Sequence, residues 1–147
     1  MTAIIFPGQG SQYVNMSMDF NENFDVARKV FQEIEDSTQI NIRKIITENP
    51  LDNLNQTNYT QISIFSASMA IYKSLLSEFS NEIIKPKILL GHSLGEYSAL
   101  VAGNLINITD ASVLIKKRGE LMHSSIEPNV SGMAAIIGKN ADFIDDV

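Results

Sequence analysis

Residues 87–102 read KILLGHSLGEYSALVA, and this stretch decides the fold. A short apolar run leads into GHSLG at residues 91–95, and a helix-forming run follows directly. The pattern predicts a strand, a sharp turn flanked by glycines and a helix, with one serine in the turn. Such a turn exposes the serine hydroxyl, and the N–H groups at the helix start face the same oxygen. GxSxG also arises by chance, but in this context we interpret Ser93 as a nucleophile of acyl transfer.

The rest of the chain alternates strand-like and helical patterns. Residues 3–6 are apolar and end at Pro7-Gly8-Gln9-Gly10, which predicts a buried strand followed by a glycine-rich loop. Further elements are predicted as a helix over 23–38, an amphipathic helix over 61–80, a helix over 110–124 capped by Thr109, and a strand over 132–138. The segment between the first two helices carries no firm pattern. The alternation predicts an α/β fold with a parallel sheet, whose ligands bind beyond the carboxyl ends of the strands.

The composition excludes several classes of function. The 147 residues carry a net charge of −6 with scattered basic residues, so we expect no nucleic-acid partner. The chain has no cysteine, which excludes disulfides, thiolate zinc sites and a cysteine nucleophile, and its two histidines do not indicate a metal site. The N-terminus lacks the pattern of a signal peptide or a membrane span. We therefore expect a cytoplasmic chain with no membrane partner.

A seryl nucleophile needs hydrogen-bond donors for the oxyanion that forms on attack. The N–H of Leu94, directly after the serine at a helix start, is the first candidate. The side-chain amide of Gln9 is the second, because Gly8 and Gly10 allow this loop to approach the reacting group closely. From spacing alone, an ordinary turn at residues 7–10 is an equally good interpretation.

Among the charged residues, Arg118 has the predicted position that is least typical of a surface side chain. It falls within the apolar stripe predicted for the 110–124 helix, whose members are Ala111, Leu114, Ile115, Leu121 and Met122. A buried guanidinium needs a partner, and its planar fork suits a carboxylate. Either a protein carboxylate or a substrate carboxylate would serve, and the structural ion pair is the commoner case.

Neither histidine is well placed to act as the general base. His92 adjoins Ser93, and the alternation of side chains at a strand end directs its ring away from the hydroxyl, so we expect it to shape the pocket. His123 is expected at the surface near the end of its helix. The residues alone therefore leave the base unassigned.

Four motifs in order resemble the malonyl-CoA:acyl carrier protein transacylase family of bacterial type II fatty acid synthesis. They are FPGQGSQ at 6–12, TQ at 60–61, GHSLGEYSAL at 91–100 and KRGELM at 117–122. The resemblance implies a large α/β-hydrolase-like subdomain, to which residues 1–127 would belong. It also implies that residues 128–147 begin a small ferredoxin-like subdomain, incomplete here, with the active site at the junction.

The resemblance also implies a role for each matching residue. Ser93 would carry the malonyl group as an ester, and Gln9 with the Leu94 N–H would form the oxyanion hole. Arg118 would bind the free carboxylate of malonate, and Gln61 would be a pocket glutamine near the serine. Leu94, where methylmalonyl-selective relatives have glutamine, favours malonyl.

The implied reaction takes malonyl-CoA as substrate and delivers the malonyl group to the phosphopantetheine thiol of acyl carrier protein, with no bound cofactor or metal. The family's catalytic histidine lies in a further half that this sequence does not match, so we expect a piece of an ordinary transacylase. A split enzyme completed by the missing C-terminal half and a non-catalytic remnant that binds acyl groups or carrier protein are alternatives. An α/β serine hydrolase is a third, which Arg118 and the Gln9 loop disfavour.

Overall fold

The computed structural model describes residues 2–79, 84–125 and 130. Its sheet consists of strands β1 (Ala3–Phe6) and β2 (Ile88–Gly91), which run parallel in a register that pairs Ala3 with Ile88 and Phe6 with Gly91. Helix α5 (Gly95–Ala102) follows β2 after the short turn that holds Ser93. The predicted strand, turn and helix are therefore confirmed, and so is the α/β class with a parallel sheet.

Five further helices and one 3₁₀ segment surround this unit within the described residues. They are α1 (Met18–Asn23), α2 (Asp25–Thr38), α3 (Ile42–Glu48), the 3₁₀ segment Pro50–Asn55, α4 (Thr57–Glu78) and α6 (Ile108–Ser124). Helix α4 packs against α2 and α6 and lies at the centre of the core. Ile62, Phe65 and Met69 of α4 are fully buried there.

The predicted helix over 61–80 is confirmed as α4, but its bounds and its amphipathic character are wrong. The helix begins at Thr57, four residues earlier. Every residue from Thr60 to Ala67 is also buried, because other elements cover this part of α4 on all sides. Small or hydrogen-bonded polar residues make this burial possible: the Ser66 hydroxyl donates to the Ile62 carbonyl at 2.7 Å.

Helix α6 also differs from its predicted form. Its N-cap is Asn107, whose side chain accepts a hydrogen bond from the Asp110 N–H, and not Thr109. Its buried residues are Ala111, Ser112, Ile115 and Gly119, whereas Leu114, Leu121 and Met122 are 41–56% exposed. A Cβ on Gly119 would lie 3.0 Å from the Asn58 Cα, so α6 approaches α4 through its small residues. This close packing turns the predicted leucine stripe away from the core.

The two faces of the sheet have different surroundings. Phe6 is buried on one face, where its ring meets Tyr72 edge to face with centroids 5.7 Å apart. The Tyr72 hydroxyl donates to the Ala102 carbonyl, and burial raises the pKa of this phenol. On the other face Ile5, Ile88 and Leu90 are 43–69% exposed. We call these three residues the open face.

The predicted strand over 132–138 and the proposed subdomain over 128–147 lie outside the described residues, apart from Val130. Within the part of the chain that is described, no helix is both long enough and apolar enough to cross a membrane. In the same part, no group of three or more histidine and acidic side chains could hold a metal ion.

Candidate active site

Ser93 sits in a tight turn at the carboxyl end of β2. Its φ of 55° is in the left-handed region that a residue with a side chain seldom adopts, and the side chain is exposed. A Cβ on Gly91 would lie 2.0 Å from the Gly95 carbonyl carbon, and one on Gly95 would lie 2.4 Å from the Phe6 carbonyl oxygen. The two glycines therefore let β2 and α5 fold back on each other with Ser93 at the bend. This is the geometry of a nucleophile elbow.

Arg118 reaches Ser93 from helix α6. Its Nη2 donates to the Ser93 Oγ at 3.0 Å, and its Nη1 donates to the Gln61 Oε1. Both acceptors are neutral. Among the described residues every ion pair joins other side chains, so no carboxylate neutralises Arg118 there. The guanidinium is partly exposed, and its predicted burial in an apolar stripe is wrong because Leu114, Leu121 and Met122 of that stripe face outward.

Gln61 joins the arginine to a residue that sequence analysis missed. It is fully buried on α4, and while its Oε1 accepts from Arg118, its Nε2 donates to the Met122 Sδ at 3.2 Å. The sequence places Met122 in the predicted apolar stripe and in the KRGELM motif, and neither assigns it a polar role. A thioether carries no sequence signal of a polar role, so only the geometry identifies it.

The glycine-rich loop after β1 lies beside the start of α4. The Gln9 Nε2 donates to the Thr57 Oγ1 at 3.2 Å, and the Gln12 Nε2 donates to the Asn55 Oδ1 at the same distance. The Gln9 side chain is exposed, so this bond can exchange for another acceptor. The loop therefore presents an amide from the same end of the sheet as the elbow.

The backbone N–H groups at the elbow differ in whether they already donate a hydrogen bond. The N–H of Gly95 donates to the His92 carbonyl at 2.9 Å, and that of Glu96 donates to the Ser93 carbonyl at 3.1 Å. Within the described residues the N–H of Leu94 donates to no acceptor, while the Leu94 side chain is 1% exposed. An available N–H beside the serine is what an oxyanion hole requires.

The two histidines lie where neither bonds to the serine hydroxyl. The His92 side chain is exposed and lies along the loop, since a Cβ on Gly8 would come 2.6 Å from its Nδ1. His123 is exposed on the last turn of α6. In the part of the chain that is described, the hydrogen-bond partner of the Ser93 Oγ is Arg118 and not an imidazole.

The fold and this elbow fit the acyl transferase family. Residues 3–143 match the acyl transferase domain, and the chain belongs to that family. The resemblance drawn from the four motifs is therefore confirmed at the level of the family.

The names of individual relatives are more specific than the description of the family. The chain is 36% identical over 142 residues to a malonyl CoA-acyl carrier protein transacylase of Haemophilus influenzae, with 97% of this chain and 45% of the relative covered. It is 34% identical over 145 residues to the Bacillus subtilis protein of the same name, at 99% and 44% coverage. The chain spans somewhat less than half the length of these curated relatives.

Solved structures agree with the sequence relatives. The malonyl CoA-acyl carrier protein transacylase of Clostridium perfringens superposes with a TM-score of 0.84 at 34% identity, covering 98% of this chain and 44% of that one. A malonyl-transacylase in complex with its type II PKS acyl-carrier protein superposes with a TM-score of 0.78 at 35% identity, covering 85% and 40%.

Proposed function

We propose that the Ser93 site transfers a malonyl group from coenzyme A to the phosphopantetheine thiol of acyl carrier protein. The observation that carries this proposal is that, among the described residues, Arg118 pairs with neutral partners only, 3.0 Å from the candidate nucleophile. A cation left without a protein counter-charge beside a serine selects an acyl group that brings its own carboxylate.

The chemistry of malonyl-CoA fits this arrangement. Its thioester carbonyl and its free carboxylate are separated by one methylene group, so one must lie close to the nucleophile when the other meets the cation. The guanidinium fork can exchange its two neutral acceptors for the two carboxylate oxygens, and charge-assisted bonds of this kind are the stronger ones. The same exchange withdraws Nη2 from the Ser93 Oγ and frees that oxygen for attack.

The first half-reaction then forms a bond from the Ser93 Oγ to the thioester carbonyl carbon and breaks the carbon–sulfur bond. The serine proton passes to a base and then to the departing coenzyme A thiolate. The Leu94 N–H and the Gln9 amide, once it leaves Thr57, would stabilise the oxyanion. In the second half-reaction the phosphopantetheine thiol attacks the malonyl ester and restores the serine hydroxyl.

The base belongs outside the residues described here, as the family resemblance implies for its catalytic histidine. On the same resemblance we infer that residues 1–127 belong to an α/β-hydrolase-like subdomain and that 128–147 begin a ferredoxin-like one. Acyl carrier protein as partner is supported by the names of the relatives and by the solved complex of one malonyl-transacylase with its carrier protein.

Intact-mass spectrometry after incubation with malonyl-CoA, and separately with acetyl-CoA, tests the proposal. We expect a malonyl adduct on the wild-type chain, none on Ser93→Ala, and a 10- to 100-fold slower adduct on Arg118→Ala, about the factor of one lost charge-assisted hydrogen bond. Lys117→Ala, which removes an exposed cation from the same helix, is the matched control and should leave the rate unchanged.

Two other outcomes would contradict the proposal. Equal adducts from both thioesters, lost rapidly to water, would indicate a serine hydrolase. A wild-type chain without any adduct, even with the remaining half of a relative added in trans, would indicate a binding remnant.

A further inference from the structure

We propose that Met122 is a positioning residue whose thioether sulfur holds the Gln61 amide, and through it the Arg118 guanidinium, in the orientation that the substrate carboxylate meets. The proposal concerns the series of hydrogen-bonded side chains formed by Ser93, Arg118, Gln61 and Met122. Its malonyl readout rests on the proposed function, whereas its spectroscopic readout does not.

The argument begins with the Gln61 amide, which is fully buried and has two chemically different ends. Arginine has only donors, so the end that faces Arg118 must be the oxygen. The nitrogen then points the other way with two hydrogens that need acceptors, and a buried donor without one is costly. The Met122 Sδ, 3.2 Å from the Nε2, is the acceptor that the structure supplies.

Helix geometry explains why the same helix provides both contacts. Arg118 and Met122 are four residues apart on α6 and therefore share one face, one turn from each other. Gln61 reaches from α4 to both of them. If the amide turned over, its nitrogen would face the cation and the oxygen would face a sulfur that cannot donate. The thioether therefore favours the orientation that holds the guanidinium.

For positioning Arg118, it matters as much that the Met122 sulfur is uncharged as that it lies close to the Gln61 amide. A carboxylate at residue 122 would hold the Gln61 amide equally well, but it would add a negative charge close to Arg118. A neutral thioether orients the amide and leaves the cation uncompensated. Gln61 and Met122 thus position Arg118 without competing with the substrate for its charge.

Two readouts on the full chain test the proposal. The first is NMR of a chain with ¹³C-methyl methionine and ¹⁵N arginine, in which Met122→Leu identifies the Met122 methyl signal among the six methionines. We expect Gln61→Leu to shift that methyl signal, and Met122→Leu to shift or broaden the Arg118 guanidinium signal. The second is the rate of adduct formation on Ser93, which should fall roughly fivefold with malonyl-CoA in Met122→Leu and stay within about twofold with acetyl-CoA.

Rescue and control variants separate positioning from packing. Met122→Gln offers an amide oxygen to Gln61 and should restore the Arg118 signal and most of the malonyl rate. Leu121→Ala removes a neighbouring exposed side chain that lacks this contact and should change neither.

An unchanged Arg118 signal in Met122→Leu would overturn the proposal, and so would equal losses in Met122→Leu and Leu121→Ala. If the wild-type chain forms no adduct even with the remaining half of a relative added in trans, the proposed function fails, and the NMR comparison alone decides the role of Met122.

Discussion

Ser93 holds a backbone conformation that its own side chain disfavours. A non-glycine residue in the left-handed region costs about 1–3 kcal/mol and persists only where its surroundings enforce it. Here the enforcement comes from Gly91 and Gly95, which lie too close to neighbouring backbone atoms for any side chain. The hydroxyl is exposed because Gly91 and Gly95, two residues before and after it, are packed so tightly.

Gly95→Ala should therefore destabilise the protein strongly. The added Cβ would lie 2.4 Å from the Phe6 carbonyl oxygen and 2.8 Å from that of Pro7, so β1 and α5 would have to separate. We expect a loss of about 3 kcal/mol or more in the free energy of unfolding, measured by urea denaturation. Gly103→Ala at the end of the same helix meets its nearest atom at 3.3 Å and should cost less than about 1 kcal/mol. Equal losses in the two variants would contradict this account.

For single residues, the sequence predicted Ser93 and Arg118 as candidate site residues, but it did not predict which side chains Arg118 contacts. The motif GHSLG predicts an exposed serine hydroxyl from local geometry alone, and the structure has it. Whether Arg118 faced a protein carboxylate depended on contacts between α4 and α6, which sequence spacing does not encode. Met122 was missed because sulfur is counted as apolar in any periodicity argument.

Among the helices, α6 shows how a local signal can be misassigned. Threonine and asparagine are both good N-caps, and residues 107 and 109 offer one of each. The structure uses Asn107, while the Thr109 hydroxyl donates to the Glu33 carboxylate on α2. Tertiary contacts of this kind, and the approach through Gly119, decided both the start of the helix and its buried face.

The choice of cap has a measurable consequence. Asn107→Ala removes the acceptor of the Asp110 N–H and should lower the free energy of unfolding by about 1 kcal/mol. Thr109→Ala breaks only an exposed bond between helices and should cost less than about 0.5 kcal/mol. Thermal or urea unfolding of the two variants distinguishes them, and the reverse order would favour Thr109 as the cap.

For the molecule as a whole, the open face is the feature that an α/β sheet does not normally show. Parallel sheets are usually covered on both faces, yet Ile5, Ile88 and Leu90 are each exposed by 43% or more. The α/β class followed from the alternation of patterns. The exposure of one sheet face did not, and the prediction of a buried strand over 3–6 is wrong in this respect, because a continuous apolar run is typical of a strand covered on both faces.

We expect copies of the chain to associate through the open face. Contiguous apolar surface on a soluble protein promotes contact between copies, so the weight-average mass in sedimentation should rise with concentration. The double variant Ile5→Thr with Leu90→Thr should reduce that rise. Leu105→Thr, which removes an apolar side chain that is 77% exposed elsewhere, is the control and should not. A wild-type chain that stays monomeric at all concentrations would contradict the prediction.

The pairing of β1 with β2 also sets the order of events during folding. Ala3 pairs with Ile88, and helices α1 to α4 lie between these two residues in the chain, so we expect the pair to meet late. Contacts between residues so far apart close a long loop and form late, whereas helical contacts are local and form early. The elbow depends on that late pairing, because Gly95 packs against the end of β1. During synthesis β1 is therefore made long before β2 and Ser93, and the elbow can form only after all three have been made.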